Sequence, residues 1–154
     1  ADRRDRRHHL PHFAEQRMIR PATLADIPRL AEWGQRFAER AKLVDHVGYE
    51  PADMANTFKV MIEDHLVLVG DNGAIGAMKG PHPFNYAHIC AQEVFWWSEG
   101  REGLRLLDGL ETWARANCHS LRMITLESVD ADRTARLYER KGYAPLERGY
   151  IKVF

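Results

Sequence analysis

Two stretches of this chain carry side chains whose types and spacing could do chemistry. The first is Glu93-Val-Phe-Trp-Trp-Ser-Glu-Gly-Arg-Glu-Gly-Leu-Arg-Leu-Leu107, which reads as a strand, a tight glycine turn and a helix start. Unpaired N–H groups at a helix start, with the positive end of its dipole, make an anion site. Gly100 and Gly103 let the backbone come close to a phosphate, and Arg101 or Arg105 can add charge. No Gly-Lys-Ser/Thr follows, so this is not a Walker loop. A G-x-x-G turn between strand and helix is also ordinary punctuation, and by itself the stretch leaves both readings open.

The second stretch is Asp132-Arg-Thr-Ala-Arg-Leu-Tyr-Glu-Arg-Lys-Gly-Tyr143, a short helix carrying Tyr138. Tyr138 puts a phenol on a helix and Glu93 a carboxylate on a strand, and burial would raise the pKa of that carboxylate. Each has a plainer reading: Tyr138 as a packing aromatic, Glu93 as a solvent-facing strand residue with a cationic neighbour. Trp96 and Trp97 serve equally as core, interface or ligand-facing aromatics. Neither Cys90 nor Cys118 belongs to a C-x-x-C pair, and no activated Cys or Ser arrangement marks a covalent nucleophile.

Positioning these groups requires a scaffold that the hydrophobic periodicity outlines. A strand is expected at 18–21, then a helix through about Arg40, opened by a Thr23–Asp26 capping box. Its inward face holds Ile27, Leu30, Gly34, Phe37 and Ala41. Pro51 suits the first turn of a second helix with Met54, Phe58, Met61 and Ile62 inward. Strands at 66–69 and 74–79 flank Asp71-Asn72-Gly73, residues that tolerate positive φ. Pro81 and Pro83 break the chain before a long strand at 87–97. A helix at 104–117 follows, with Leu107, Leu110, Trp113 and Ala114 as its stripe. A strand at 123–126, a helix from Asp132 as cap to Arg140 with Gly142 beyond it, and strands at 144–147 and 150–154 complete the chain.

With that order in place, Ala-x-Leu-Tyr-Glu-x-x-Gly-Tyr followed by terminal strands resembles the C-terminal motif of the GCN5-related N-acetyltransferases. The turn at 98–103 lies where that family keeps its pyrophosphate loop, and Ile19-Arg-Pro-Ala-Thr-Leu-Ala-Asp-Ile27 is similar to its opening strand and helix. The resemblance spans 18–154 as one domain. It implies an α/β fold with a mixed, bent central sheet flanked by helices on both faces. It further implies acetyl-CoA as donor, direct transfer to a primary amine in a ternary complex, and no metal. Tyr138 matches the tyrosine near the thioester sulfur, where it can protonate the leaving thiolate, and Glu93 stands where a general base is often kept, with Gln92 and His88 competing for that role. Phe95, Trp96, Trp97, Arg101, Glu102, Gly103, Leu104, Arg105, Asp132 and Ala135 fall at cofactor-binding positions. The strand ending near Trp96 would splay from its neighbour at a bulge. Two departures stand out: Arg101 replaces the loop's middle glycine and Ser98 its basic residue. A non-catalytic acyl-CoA-binding or interaction module therefore stays open as the alternative. Acceptor residues are sought in 41–49, 81–86 and 147–150, with His46, Tyr49, His82, Phe84 and Tyr86 as candidates.

Composition bounds the partners. Lys+Arg and Asp+Glu are both 22, so no net charge draws the chain to nucleic acid or an anionic membrane. No apolar run approaches the roughly 20 residues that span a bilayer. Two unpatterned cysteines suit a reducing compartment, and the cytoplasm is the expected location. A homodimer is compatible with the resemblance. Residues 1–17, charged and aperiodic, read as a disordered extension, a cloning remnant or an upstream start. A metal site from His8, His9 and His12 would be unusual in such a segment.

Overall fold

The computed structural model describes residues 18–154; the expectations for 1–17, including His8, His9 and His12, lie outside the described residues. In strand β2 (Leu66–Val69) every side chain of the run LVLV is buried. Successive strand residues point to opposite faces. A strand apolar at every position therefore needs cover on both sides, and the architecture supplies it.

The sheet has five strands in the order β1 (Arg20–Pro21), β2, β3 (Gly73–His82), β4 (Asn85–Ser98), β5 (Ser120–Arg122). Neighbours are antiparallel except β4 and β5, which run parallel. On one face, α1 (Ile27–Arg40) and α3 (Pro51–Asp64) bring Leu30, Trp33, Phe58 and Met61 against Val67, Val69, Ala74 and Phe95. On the other, α4 (Gly103–Asn117) and α5 (Ala131–Arg140) bring Leu106, Leu107, Leu110 and Tyr138 against Leu66, Leu68, Ile75 and Ala77. A single turn, α2 (Val44–Val47), links the first two longer helices. Burying each large apolar side chain contributes about 1.5–3 kcal/mol, so both layers matter to stability.

The register of β3 on β4 shifts in one informative place. Gly76 pairs with Phe95 and Ala77 with Glu93, leaving Val94 as the extra residue of a bulge. A Cβ on Gly76 would stand 2.4 Å from the Phe95 ring, which is why glycine faces the bulge. The bulge lets Glu93 and Trp96, three residues apart, both face α4 and α5. On the other edge, the β4–β5 ladder runs from Cys90↔Ser120 to Gln92↔Arg122 and stops. Strand β4 continues to Ser98 while the chain after Arg122 turns away. The expected splay is present.

Other expectations need correction. Strand β5 is Ser120–Arg122, not 123–126, because the ladder partner on β4 ends at Gln92. The strands expected at 144–147 and 150–154 are not formed, and Leu146, Tyr150, Ile151, Val153 and Phe154 are exposed. Their alternation permits a strand, but a strand exists only where an edge pairs with it. The cap of α5 is Asp130, not Asp132: it adopts φ 43° and its carboxylate accepts from the Arg133 N–H at 3.4 Å. Gly142, at φ 91°, takes the expected position past the helix end. Thr23 and Asp26 enclose a 3-10 turn, Leu24–Asp26, before α1 begins. Asp71-Asn72-Gly73 does join β2 to β3, but none of the three has a positive φ. Pro81 sits inside β3, so the prolines do not break the hairpin. The inward face of α1 also includes Trp33 and Ala38.

Candidate active site

Past the splay, the chain leaving β5 brings Ile124 alongside β4. The Ile124 N–H donates to Glu93 Oε2 at 3.1 Å, and its carbonyl accepts from the Tyr138 hydroxyl at 3.1 Å. One residue's backbone thus holds the carboxylate and the phenol singled out from sequence, although no sequence signal marks Ile124. Glu93 is only 5% exposed. Burial pushes its carboxyl up to about 7, with the Ile124 N–H partly opposing. Burial also raises the Tyr138 phenol well above its ordinary value, and the Glu93 charge adds to the effect. Trp96 stacks on Tyr138 at 6.4 Å between ring centroids, and Tyr143 packs at 5.4 Å. The arrangement holds one group able to lose a proton near neutrality and one that keeps its own.

These groups line a cleft of about 460 Å³ that follows the splay. Trp96 lines it from the α4/α5 side of the sheet and Trp97 from the α1/α3 side. Val94 at the bulge, Ser98, Gly100 and Gly103 at the turn, and Thr134 and Tyr138 on α5 complete much of the wall. Thr134 precedes Tyr138 by one helical turn on the same face, a spacing that could have found it from sequence. Phe37, Arg40 and Leu43 at the end of α1, and Leu126 and Val129 after β5, have no such signal. The loop after β5 is tied to the end of α1 by Ser128, whose hydroxyl donates to the Ala41 carbonyl at 2.8 Å.

The other expected residues divide by position. Phe95 is a core residue, edge-on to Phe58 at 5.2 Å, and its ring is not in the cleft wall. Arg101, Leu104, Arg105 and Asp132 are exposed and Ala135 half-buried, all outside the wall. Glu102 caps α4 with its side chain turned inward: it is buried, and Oε1 accepts from the Asn72 N–H at 2.6 Å. Its Oε2 has no hydrogen-bond partner among the described residues. The Glu99 N–H donates to the Asn72 carbonyl at 2.8 Å, so the turn before α4 is fastened twice to the β2–β3 turn. At the start of α4 the Leu106 N–H donates to the Glu102 carbonyl at 3.0 Å, and the N–H groups of Gly103 and Leu104 precede that bond.

Of the rivals for the base role, Gln92 is exposed, and His88 is hydrogen-bonded to Ser120 at 2.9 Å. His46, Tyr49, His82, Phe84 and Tyr86 are not in the cleft wall; the Tyr49 hydroxyl donates to the Ala31 carbonyl at 2.7 Å. Among the described residues there is no group of three or more His, Cys, Asp or Glu side chains able to hold a metal. Among the same residues no helix is long and apolar enough to cross a membrane.

No family model matches this sequence, and no curated protein does. Solved structures do match. A ribosomal-protein-alanine N-acetyltransferase from Brucella melitensis biovar Abortus 2308 superposes with a TM-score of 0.63 at 17% identity, over 89% of this chain and 98% of its own. An aminoglycoside acetyltransferase from an uncultured soil metagenomic sample gives a TM-score of 0.65 at 11% identity, over 89% and 98%. A transcriptional regulator from Bacillus halodurans C-125 gives 0.67 at 19%, over 90% and 99%. At these identities the likeness shows the fold alone. The chain has the acetyltransferase fold that its motifs suggested, that of the GCN5-related N-acetyltransferases.

Proposed function

We propose that this protein transfers an acetyl group from acetyl-CoA to a primary amine. The observation that carries this reading is the pairing of Glu93 and Tyr138 on the backbone of Ile124, at the splay of β4 and β5, in a fold shared with acetyltransferases.

Glu93 takes one proton from the incoming ammonium so that the amine nitrogen can attack the thioester carbonyl, and the second proton that the nitrogen sheds replaces the one Tyr138 gives to the sulfur. A carboxyl poised near 7 is matched to that task at neutral pH. Tyr138 gives its proton to the sulfur as the carbon–sulfur bond breaks, so the thiol leaves neutral. Val94 and the β4 backbone beyond it, released from ladder pairing with β5, offer hydrogen bonds to an extended pantetheine arm. The N–H groups at the start of α4, with Gly100 and Gly103 beside them, suit a pyrophosphate. The buried side chain of Glu102 serves differently: it fixes the turn to Asn72 rather than touching the donor. Transfer is direct, since no cysteine or serine in the cleft wall has an adjacent base to activate it.

The test is calorimetric titration with acetyl-CoA beside CoA and ADP, followed by thiol release with a panel of amines. Saturable micromolar binding and amine-dependent thiol release are expected. Binding without release for any amine would favour a non-catalytic acyl-CoA-binding module.

A further inference from the structure

The cleft wall contains two charged side chains among its described residues: Glu93, buried at the splay, and Arg40, at the end of α1. Other cations of the same helix are engaged. Arg29 lies 4.2 Å over the Trp33 ring and donates to the Gly70 carbonyl, and Arg36 pairs with Glu32 and Glu99. The side chain of Arg40 is exposed and makes no hydrogen bond, ion pair or ring contact among the described residues. Its neighbours in the wall, Phe37 and Leu43 from the same stretch and Leu126 and Val129 from the loop after β5, are apolar. Arg40 is thus an exposed cation at the rim of a cleft whose other charge is a buried carboxyl, where its guanidinium can meet an acid group entering from solvent.

We infer that Arg40 binds an acid group on the acceptor, so that the substrate is an amine that also carries a carboxylate. This rests on the acetyl-transfer reading and narrows it. The guanidinium presents a planar fork that matches a carboxylate in two parallel hydrogen bonds. The acceptor's two ends would then meet opposite charges, with its ammonium at Glu93 and its carboxylate at Arg40. Polyamines and aminoglycosides, which are cationic throughout, would be repelled at Arg40 and are excluded as good acceptors.

The experiment measures kcat/KM by thiol release for α- and ω-amino acids, each beside its own amide, plus spermidine, in the native protein, Arg40→Ala and Arg40→Lys. The native protein should favour an acid over its amide by about tenfold to a hundredfold, the usual scale of a charge-assisted hydrogen bond. That ratio should collapse in Arg40→Ala and recover partly in Arg40→Lys, which keeps the charge without the fork. The KM for acetyl-CoA separates the two anions that could reach Arg40: if it rises in Arg40→Ala while the acid-to-amide ratio holds, Arg40 serves the donor's phosphates and the inference fails. It fails equally if amides or spermidine are acetylated as well as acids, or if acetyl-CoA binds and no amino acid is turned over. Absence of acetyl-CoA binding to folded native protein would instead remove the acetyl-transfer reading itself.

Discussion

The two ends of the cleft are built by different means. At the splay, side chains are buried and fixed: Glu93 and Tyr138 share Ile124, and Trp96 stacks on the phenol. At the turn before α4, the backbone faces the cleft through Gly100 and Gly103, the side chain of Arg101 stands in solvent, and Glu102 points into the protein. One end places reactive groups where burial can tune their proton affinity. The other holds a loop shape with a hidden carboxylate and turns its backbone toward the cleft. Substitutions at the first end should therefore change chemistry, and substitutions at the second should change donor affinity.

The largest expected effect is at Glu93. Glu93→Gln keeps the acceptor for the Ile124 N–H but cannot take a proton, so turnover at neutral pH should fall about a hundredfold to ten-thousandfold. In the native protein kcat/KM should fall as pH drops through about 7, and that limb should vanish in the variant. Stability should move the other way. A carboxyl whose folded pKa is raised stabilises the fold fully only below its unfolded value near 4.5, and that contribution is lost as pH rises through about 7. Removing the charge should thus stabilise the protein at pH 8 by on the order of 3 kcal/mol and do little at pH 4. Thermal denaturation at both pH values measures this, and equal melting shifts would break the assignment of burial as the cause.

Next comes Tyr138→Phe, expected to cost about a hundredfold in turnover if the phenol protonates the thiolate. Loss of the bond to the Ile124 carbonyl should cost about 1 kcal/mol of stability. A variant that loses the stability and keeps the turnover would make Tyr138 a packing residue and sink its catalytic role.

At the other end, the strongest lever is a glycine outside the cleft wall. A Cβ on Gly70 would lie 2.6 Å from Glu102 Oε2, within the carboxylate's own space. Gly70→Ala should destabilise by about 1–3 kcal/mol and loosen the turn. The dissociation constant for acetyl-CoA should then rise several-fold, read by calorimetry, with kcat at saturation changing less than in either splay variant. If kcat falls instead, the two ends are not separable.

What could be read from sequence follows the same division. Glu93, Tyr138 and the turn at 98–103 are local: a strand, a helix and a glycine-marked bend, each with its own pattern. The bulge at Val94 was expected only in general, because register is set by the partner strand. Ile124 acts through its backbone, which no side-chain pattern reveals. Glu102 looked like part of the phosphate loop because its neighbours do, yet its direction depends on Asn72, thirty residues earlier. The terminal strands failed for the related reason that alternation cannot supply the missing edge. Arg40 borders the apolar face of α1, seven residues after the buried Trp33, and only the chain leaving β5 makes that border one wall of a cleft.

The smallest expected effect tests whether the turn works by shape or by charge. Arg101 occupies the position where the resembling loops keep a glycine, and its side chain is exposed. A solvent-exposed cation near a phosphate contributes about 0.2–1 kcal/mol, screened by salt. Arg101→Ala should accordingly raise the acetyl-CoA dissociation constant by no more than about fivefold at low salt, a difference that fades as salt is added. Loss of binding at all salt concentrations would mean that Arg101 replaced the amides the altered loop no longer offers. The donor site would then be made by a side chain after all, and the contrast between the two ends would disappear.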